Sequence, residues 1–366
     1  MAHKLKVALV HDWLVDFGGA ERLLLALRAL YPAAPIFTAF YDATKLPQFQ
    51  DAQIQTSYLQ KIPFAKERHR FFLPFMPAAI EQFDLSAFDL VISSTSSGCA
   101  KGVLTSSKTT HICYCHNPSR VLWDRCQAYL KLHQPNFLLR KLLPRQLTKL
   151  RIWDRVAADR VDYFLANSNF VAQRIRKYYQ REAEVIYPPV ETAKFLPSGE
   201  PPRDYFLAIG RLVPYKRFDL IVAAANKLKL NLRVVGTGPE LARLQALAGP
   251  TVRFLGQVSE SLLRKMCAEC QALIFPQVED FGLTPVEVNA SGRPVIAFAQ
   301  GGACESLLPN KTGVFFPQQE VGSLVQAIEH LRKRHWNARV LAKQAARFDS
   351  RHFQAQISAF VERVMA

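Results

Sequence analysis

What this chain lacks narrows it first. No apolar run approaches the eighteen or so residues that a membrane-crossing helix needs. The N-terminal apolar stretch is broken by His11, Asp12 and Asp16 and does not read as a signal peptide, so a cytoplasmic protein is expected. Of the seven cysteines, Cys267 and Cys270 have metal-like spacing, but no second pair at similar spacing completes a zinc site. Reduced, buried thiols are expected and no metal. The glycine turns do not spell G-x-G-x-x-G, and no recognised nucleic-acid motif is present. Negative charge is also scarce: 30 acidic residues face 47 Lys and Arg, for a net charge of +17.

The rest is that of a globular protein, 49% hydrophobic and 21% charged over 366 residues, long enough for two domains. The positive excess calls for an anionic partner: nucleic acid, an acidic membrane or a phosphorylated substrate. Two basic stretches are interleaved with apolar residues. Lys61–Arg70 runs into F-F-L-P-F-M-P, and Arg125–Arg155 holds eight Lys and Arg against the single acid Asp154. Basic and apolar together fits an interfacial surface better than a nucleic-acid stripe, although a solvated helix face with a core stripe has the same pattern. No nucleic-acid partner is expected.

Short apolar runs alternate with helical patterns, the signature of parallel α/β sheets. Strands are expected at Lys4–Val10, Ile36–Phe40, Leu90–Ser93, His111–Cys115 and Tyr163–Ala166. The first leads into Gly18-Gly19 and a helix, a turn where backbone can approach a ligand closely. The His111 strand delivers His116 to its carboxyl end, ahead of Asn117-Pro118, and Asn167-Ser168 caps the helix after Tyr163–Ala166. The pattern breaks at Pro188-Pro189. We read residues 1–187 as one Rossmann-like domain, 188–204 as a proline-rich linker, 205–345 as a second such domain, and 346–366 as a helical tail packing back on the first.

In the second half, strands are expected at Tyr205–Ile209, Leu232–Val235, from Val252, at Ala272–Phe275, Val295–Phe298 and Gly313–Phe316. Arg211 and Lys216 fall in the loop after the Tyr205 strand, placed either to clamp a diphosphate or simply to face solvent. Gly236 lies in the glycine turn of V-V-G-T-G-P. The stretch Phe275–Glu305 holds Glu279 and Glu287 on either side of F-G-L-T-P. Thr284 has the makings of an N-cap, with Pro285 at the first helical position and Glu287 three residues past the cap. That is a complete capping box, so Glu287 either satisfies its own helix or meets a ligand, and Glu279-Asp280 is either a solvated loop or part of a site. Two sheets joined by a linker imply a cleft to which both halves contribute loops.

Taken together, these residues resemble the group 1 retaining glycosyltransferases of the GT-B fold, along essentially the whole chain. The most specific element is E-D-F-G-L-T-P-V-E, which matches a Glu-x7-Glu signature. G-R-L-V-P-Y-K-R, V-V-G-T-G-P, G-G-A-E near the start, the histidine after Y-C, and G-G-x-x-E at Gly301–Glu305 also fit. Y-C-H-N-P-S-R-x-L-W-D is similar to mannosyltransferase-like members that build bacterial surface polysaccharides.

The resemblance implies an α/β GT-B fold and transfer of a sugar from a nucleoside-diphosphate sugar, GDP-mannose by subfamily, to a lipid-linked or polysaccharide glycan. No cofactor is implied, and peripheral association with an anionic membrane is. Arg211 and Lys216 would hold the diphosphate. Glu287 would take the ribose hydroxyls, while Glu279 and the backbone of Phe281, Gly282 and Leu283 would address the sugar or pyrophosphate. Gly18 and Gly19 would lie against phosphates, Gly236 would also border the donor, and His116 would meet the transferred sugar, making Glu279, His116, Lys216 and Arg211 the catalytic set. The chain has no Asp-x-Asp, so fixed cations and helix N-termini would stabilise the leaving group in place of a metal. Asp280 stands where many members have glycine or proline. An epimerase or glucan-type synthase on the same fold, or a non-catalytic nucleotide-binding scaffold, are the alternatives.

Overall fold

The computed structural model describes residues 5–124, 126–127, 130 and 137–366. Lys4, the expected start of the first strand, and residues 125, 128–129 and 131–136 of the Arg125–Arg155 stretch lie outside them. The chain divides into two units: one runs to Tyr187 and includes Gln354–Ala366, and the other is Pro188–Phe353.

The first unit is built on seven parallel strands: β1 (Val7–His11), β2 (Ile36–Thr38), β3 (Ile54–Thr56), β4 (Leu90–Thr95), β5 (Thr110–Cys115), β6 (Tyr163–Ala166) and β7 (Ala183–Val185). Their order across the sheet is β3-β2-β1-β4-β5-β6-β7. Every residue of β1 and β4 is buried, which is why both read as continuous apolar or small-residue runs: helices cover both faces of a parallel sheet. The edge strand β3, Ile-Gln-Thr, was not among the expected strands, because three residues carry too little periodicity to register. Gln354–Ala366 belongs to this unit, where Phe360 packs edge-on against Tyr163 at 5.9 Å and Arg363 pairs with Glu184.

The second unit has six parallel strands: β8 (Phe206–Ile209), β9 (Leu232–Val235), β10 (Val252–Gly256), β11 (Leu273–Phe275), β12 (Val295–Phe298) and β13 (Gly313–Phe316), in the order β10-β9-β8-β11-β12-β13. Its core joins Phe206, Ala208, Ile274, Ile296 and Phe316 to the helices Phe218–Leu228 and Val321–Arg332 through Ile221, Leu324 and Ile328. The proline-rich stretch after Pro188 packs on this unit: Val190 bridges to Asp349, the Arg203 N–H donates to Glu269 O at 2.7 Å, and Arg293 donates to Glu200 O at 2.7 Å.

Both sheets reverse their direction of growth once, between β1 and β4 in the first and between β8 and β11 in the second. Loops leaving the carboxyl ends of such a strand pair diverge and open a crevice, where ligands of doubly wound sheets bind.

Candidate functional site

At the β8/β11 switch point the two flanking loops bring Lys216 and Glu279 together. The loop after β8 passes Gly210 and Arg211 and tightens into a short 3₁₀ turn, Pro214–Lys216. Lys216 Nζ lies 3.1 Å from Glu279 Oε1, on the loop after β11. The contact is one of charge. Glu279 Oε1 is buried and has no hydrogen-bond partner among the described residues, so the carboxylate keeps unspent acceptor capacity. Gly210 clears the way: a Cβ there would stand 3.2 Å from Lys216 Nζ. Arg211 is exposed, and among the described residues no ion pair is formed by it.

Close backbone packing holds the acidic loop. A Cβ on Gly302 would come within 2.3 Å of Asp280 O and Phe281 Cα, and one on Gly301 within 2.6 Å of Glu279 O. The Gly302 N–H donates to Glu279 O at 2.9 Å. The G-G-x-x-E element therefore braces the loop that carries Glu279. Gly236 does the same for the β8 turn, since a Cβ there would sit 2.0 Å from Gly210 O. The Phe281 ring anchors the loop edge-on against Phe348, 5.3 Å between centroids.

The next helix corrects the sequence reading. It runs Leu283–Ala290, with Gly282 as its N-cap at φ +88°, a conformation glycine adopts without the strain a side chain would bring. Thr284 is thus the second helical residue and Pro285 the third, and the expected Thr284–Glu287 capping box does not form. Pro285 costs the helix nothing there, because first-turn N–H groups have no intrahelical partner. Glu287 is 5% exposed, on a helix whose residues from Pro285 to Ala290 are all buried.

In the first unit, Gly18 is the N-cap of the helix Gly19–Leu30, and its N–H donates to Glu21 Oε2 at 2.8 Å. Glu21 is nearly buried, and its other oxygen meets His11 Nε2 at 3.3 Å. His11 Nδ1 contacts Ser94 Oγ at 3.2 Å, and Ser94 Oγ contacts His116 Nε2 at 2.9 Å. A chain of contacts, buried at His11 and Ser94, therefore links the Gly18 turn to the half-buried His116, just past β5, through the carboxyl ends of β1 and β4. Burial, then the charge on His11, pushes the His116 imidazole down to about 4. Beside the chain, Asp12 takes N–H donors from Ser96, Ser97 and Ala100, each at 2.7 Å, and the Thr95 hydroxyl at 2.8 Å. Burial raises its pKa, but His11 and those N–H groups outweigh burial and hold the carboxyl below its ordinary value.

Sequence reasoning passed over His11, Glu21 and Ser94 as site residues, and a second buried group as well. Lys101 is completely buried; its Nζ donates to Asp154 Oδ1 at 2.6 Å and Gly98 O at 2.9 Å, while Trp123 Nε1 and the Tyr179 hydroxyl also donate to Asp154. Of the two basic and apolar stretches, Lys61–Arg70 and the aromatics after it are largely at the surface: Phe64, Phe71 and Phe75 are exposed by 76%, 77% and 55%. Among the described residues, no helix is long and apolar enough to cross a membrane, and no cluster of three or more His, Cys, Asp or Glu is placed to hold a metal ion.

Two family models match consecutive parts of the chain: Glycosyltransferase Family 4 over residues 17–194 and Glycosyl transferases group 1 over residues 192–348. D-inositol 3-phosphate glycosyltransferase of Mycobacterium tuberculosis is 28% identical over 223 residues, covering 54% of this chain and 46% of that protein. The chain thus spans about half the length of the curated relatives it matches. Among solved structures, Anabaena HepE in complex with UDP and glucose superposes with a TM-score of 0.70 at 18% identity, over 98% of this chain and 100% of that one. Sucrose-phosphate synthase from Thermosynechococcus elongatus does so with a TM-score of 0.71 at 18% identity, over 99% of each chain. At such identities the likeness establishes the fold, two Rossmann-like parallel-sheet units of the GT-B kind.

Proposed function

We propose that this chain, a member of the group 1 glycosyltransferases, is a retaining, metal-independent hexosyltransferase. It moves mannose from GDP-mannose to a lipid-linked or polysaccharide glycan. The observation that carries the reading is the Lys216–Glu279 pair at the β8/β11 switch point, beside the exposed Arg211 and the start of the helix Leu283–Ala290. Cleaving a sugar nucleotide leaves negative charge on a diphosphate and positive character on the sugar. Two cations and free helix N–H groups would meet the first need, and the Glu279 carboxylate is of the right sign for the second. A diphosphate carries more negative charge than one carboxylate, so the donor would draw Lys216 from Glu279 and release it for the sugar. By the resemblance, His116 addresses the sugar, Gly18 and Gly19 the phosphates, and Glu287 the ribose.

Thermal-shift titration with GDP, UDP, ADP and dTDP, EDTA present throughout, tests the donor class, because a ligand bound only by the native state raises apparent stability. A selective shift with GDP is expected. A selective UDP shift would replace guanine by uracil, and no shift with any diphosphate would refute the donor site. Product analysis with the accepted donor then separates transfer from epimerisation, which isomerises the donor without releasing nucleoside diphosphate.

The acceptor reading includes an anionic membrane surface. It is supported by exposed Phe64, Phe71 and Phe75 among the exposed cations Lys61, Arg68 and Arg70. Vesicles with anionic lipid should retain the protein at low salt, neutral vesicles should not, and F71S/R70E should abolish retention. Equal binding to neutral vesicles would overturn it.

A further inference from the structure

The Phe281 ring ties the acidic loop to Phe348, and what holds Phe348 in turn is distant in sequence. Both rings are buried and meet edge to face. Seen alone, Phe348 is an ordinary core residue. Its backbone is clasped to the beginning of the same unit. The Val190 N–H donates to Phe348 O at 2.9 Å, and the Ser350 N–H donates to Val190 O at 3.1 Å. Side chains close the clasp: the Thr192 hydroxyl donates to Asp349 Oδ2 at 2.6 Å. The other carboxylate oxygen serves the last helix, Ser350–Met365, by accepting the Arg351 N–H at 3.1 Å and Arg351 Nε at 2.9 Å. Asp349 thus divides its oxygens between a helix cap and the clasp. The 3₁₀ turn Thr192–Lys194 also packs on the helix Leu283–Ala290, which follows the acidic loop.

We propose that Phe348, held by the Thr192–Asp349 clasp, is a positioning residue for Glu279 and acts on it through the Phe281 ring. The inference rests on the reading above, in which Glu279 meets the transferred sugar. The partly exposed pair with Lys216 is too weak to fix the loop by itself. Two other attachments remain. The Gly302 brace secures the loop by its backbone, and the buried Phe281 ring secures it by a side chain two residues from Glu279. Loosening the second lets the carboxylate drift while the brace still holds the chain nearby, and a small misplacement of a reacting group costs far more in rate than in binding. The chain enters this unit at Pro188 and leaves it at Phe353, so the clasp joins both passages to the anchor of the donor loop.

Amide exchange of the ligand-free full chain reads the loop directly, because the Gly302 N–H is bonded to Glu279 O. The Leu207 N–H, bonded to Ala272 O at 3.0 Å, reads opening of the sheet instead. Thr192→Val removes the hydroxyl and leaves the Asp349 helix cap in place. It should quicken Gly302 exchange about tenfold and Leu207 exchange about twofold or less. Phe348→Leu should have the same local effect, and Thr192→Ser, which keeps the hydroxyl, should match wild type. Turnover of Thr192→Val should fall about tenfold with donor KM within about twofold of wild type. In a Glu279→Gln background the same change should cost about twofold or less, since a residue acting through Glu279 has nothing left to place. No change at Gly302 overturns the proposal, as does equal quickening at Gly302 and Leu207 or full additivity with Glu279→Gln. Unfolding of Phe348→Leu leaves Thr192→Val as the deciding variant. The nucleotide titration is independent: a local Gly302 response in a protein that binds no nucleoside diphosphate would refute the donor reading and leave the clasp on the loop standing.

Discussion

Lys216 Nζ lies 3.1 Å from the buried Oε1 of Glu279, on a different loop, and the two side chains are 18% and 21% exposed. A partly screened pair of this kind contributes little to stability, about 1 kcal/mol or less. Its significance is therefore for binding. Lys216→Ala should weaken nucleoside-diphosphate affinity about tenfold, some 1.4 kcal/mol, by calorimetry, with no more than a few degrees lost in Tm. Glu279→Gln should keep nucleotide affinity and lose turnover by roughly a hundredfold. Full activity in both variants would dismantle the assignment.

The glycines make a paired prediction. Gly302→Ala places a Cβ 2.3 Å from two backbone atoms of the Asp280–Phe281 segment, which cannot swing aside as a flexible side chain would. The loop bearing Glu279 must shift, so nucleotide binding and Tm should fall together. Gly322→Ala, within the helix Val321–Arg332, meets open space and should stabilise by about 0.5–1 kcal/mol in urea unfolding.

Acid should destabilise the first unit in a defined window. His111 is fully buried, donates or accepts at 2.7 Å with Ser93 Oγ, and burial pushes it from 6.5 down to about 3. Between those values the unfolded chain holds a proton that the native state refuses. Stability is thus complete above pH 6.5 and is lost as pH falls toward 3, with a slope of about 1.4 kcal/mol per pH unit from this residue. Urea midpoints measured against pH should show that slope, reduced by one proton in His111→Gln.

Lys101→Met should be among the most damaging substitutions in the first unit. It leaves Asp154, 1% exposed, with the Trp123 and Tyr179 donors but no cation, and breaking a buried pair from one side costs about 3–5 kcal/mol. Lys101→Met combined with Asp154→Leu should recover part of that loss. A double variant as unstable as the sum of the singles would mean the pair is not what sets the cost.

Much of the sheet was legible in the chain alone. The runs Val295–Phe298 and Gly313–Phe316 are strands over the residues their composition marks, because strands buried on both faces must be apolar throughout. The start of the helix after Glu279 was misread for a physical reason. T-P-V-E satisfies the local rules of a capping box, but Gly282 at φ +88° turns the chain into the helix two residues earlier, held by the brace from Gly301-Gly302. Local capping preference is worth about 1 kcal/mol, and packing overrides it readily.

The sequence by itself determined the alternation of strand and helix, the residue types at the carboxyl ends of strands, and the glycines on which the loops depend. Each of those is a matter of neighbours a few positions apart. Only the tertiary structure decided who meets whom. Lys216 reaches Glu279 because β8 lies beside β11, skipping β9 and β10, and His11, Ser94 and His116 align because β1, β4 and β5 are adjacent. Sheet order is settled by the packing of whole elements against a common core, and no short stretch of chain contains it.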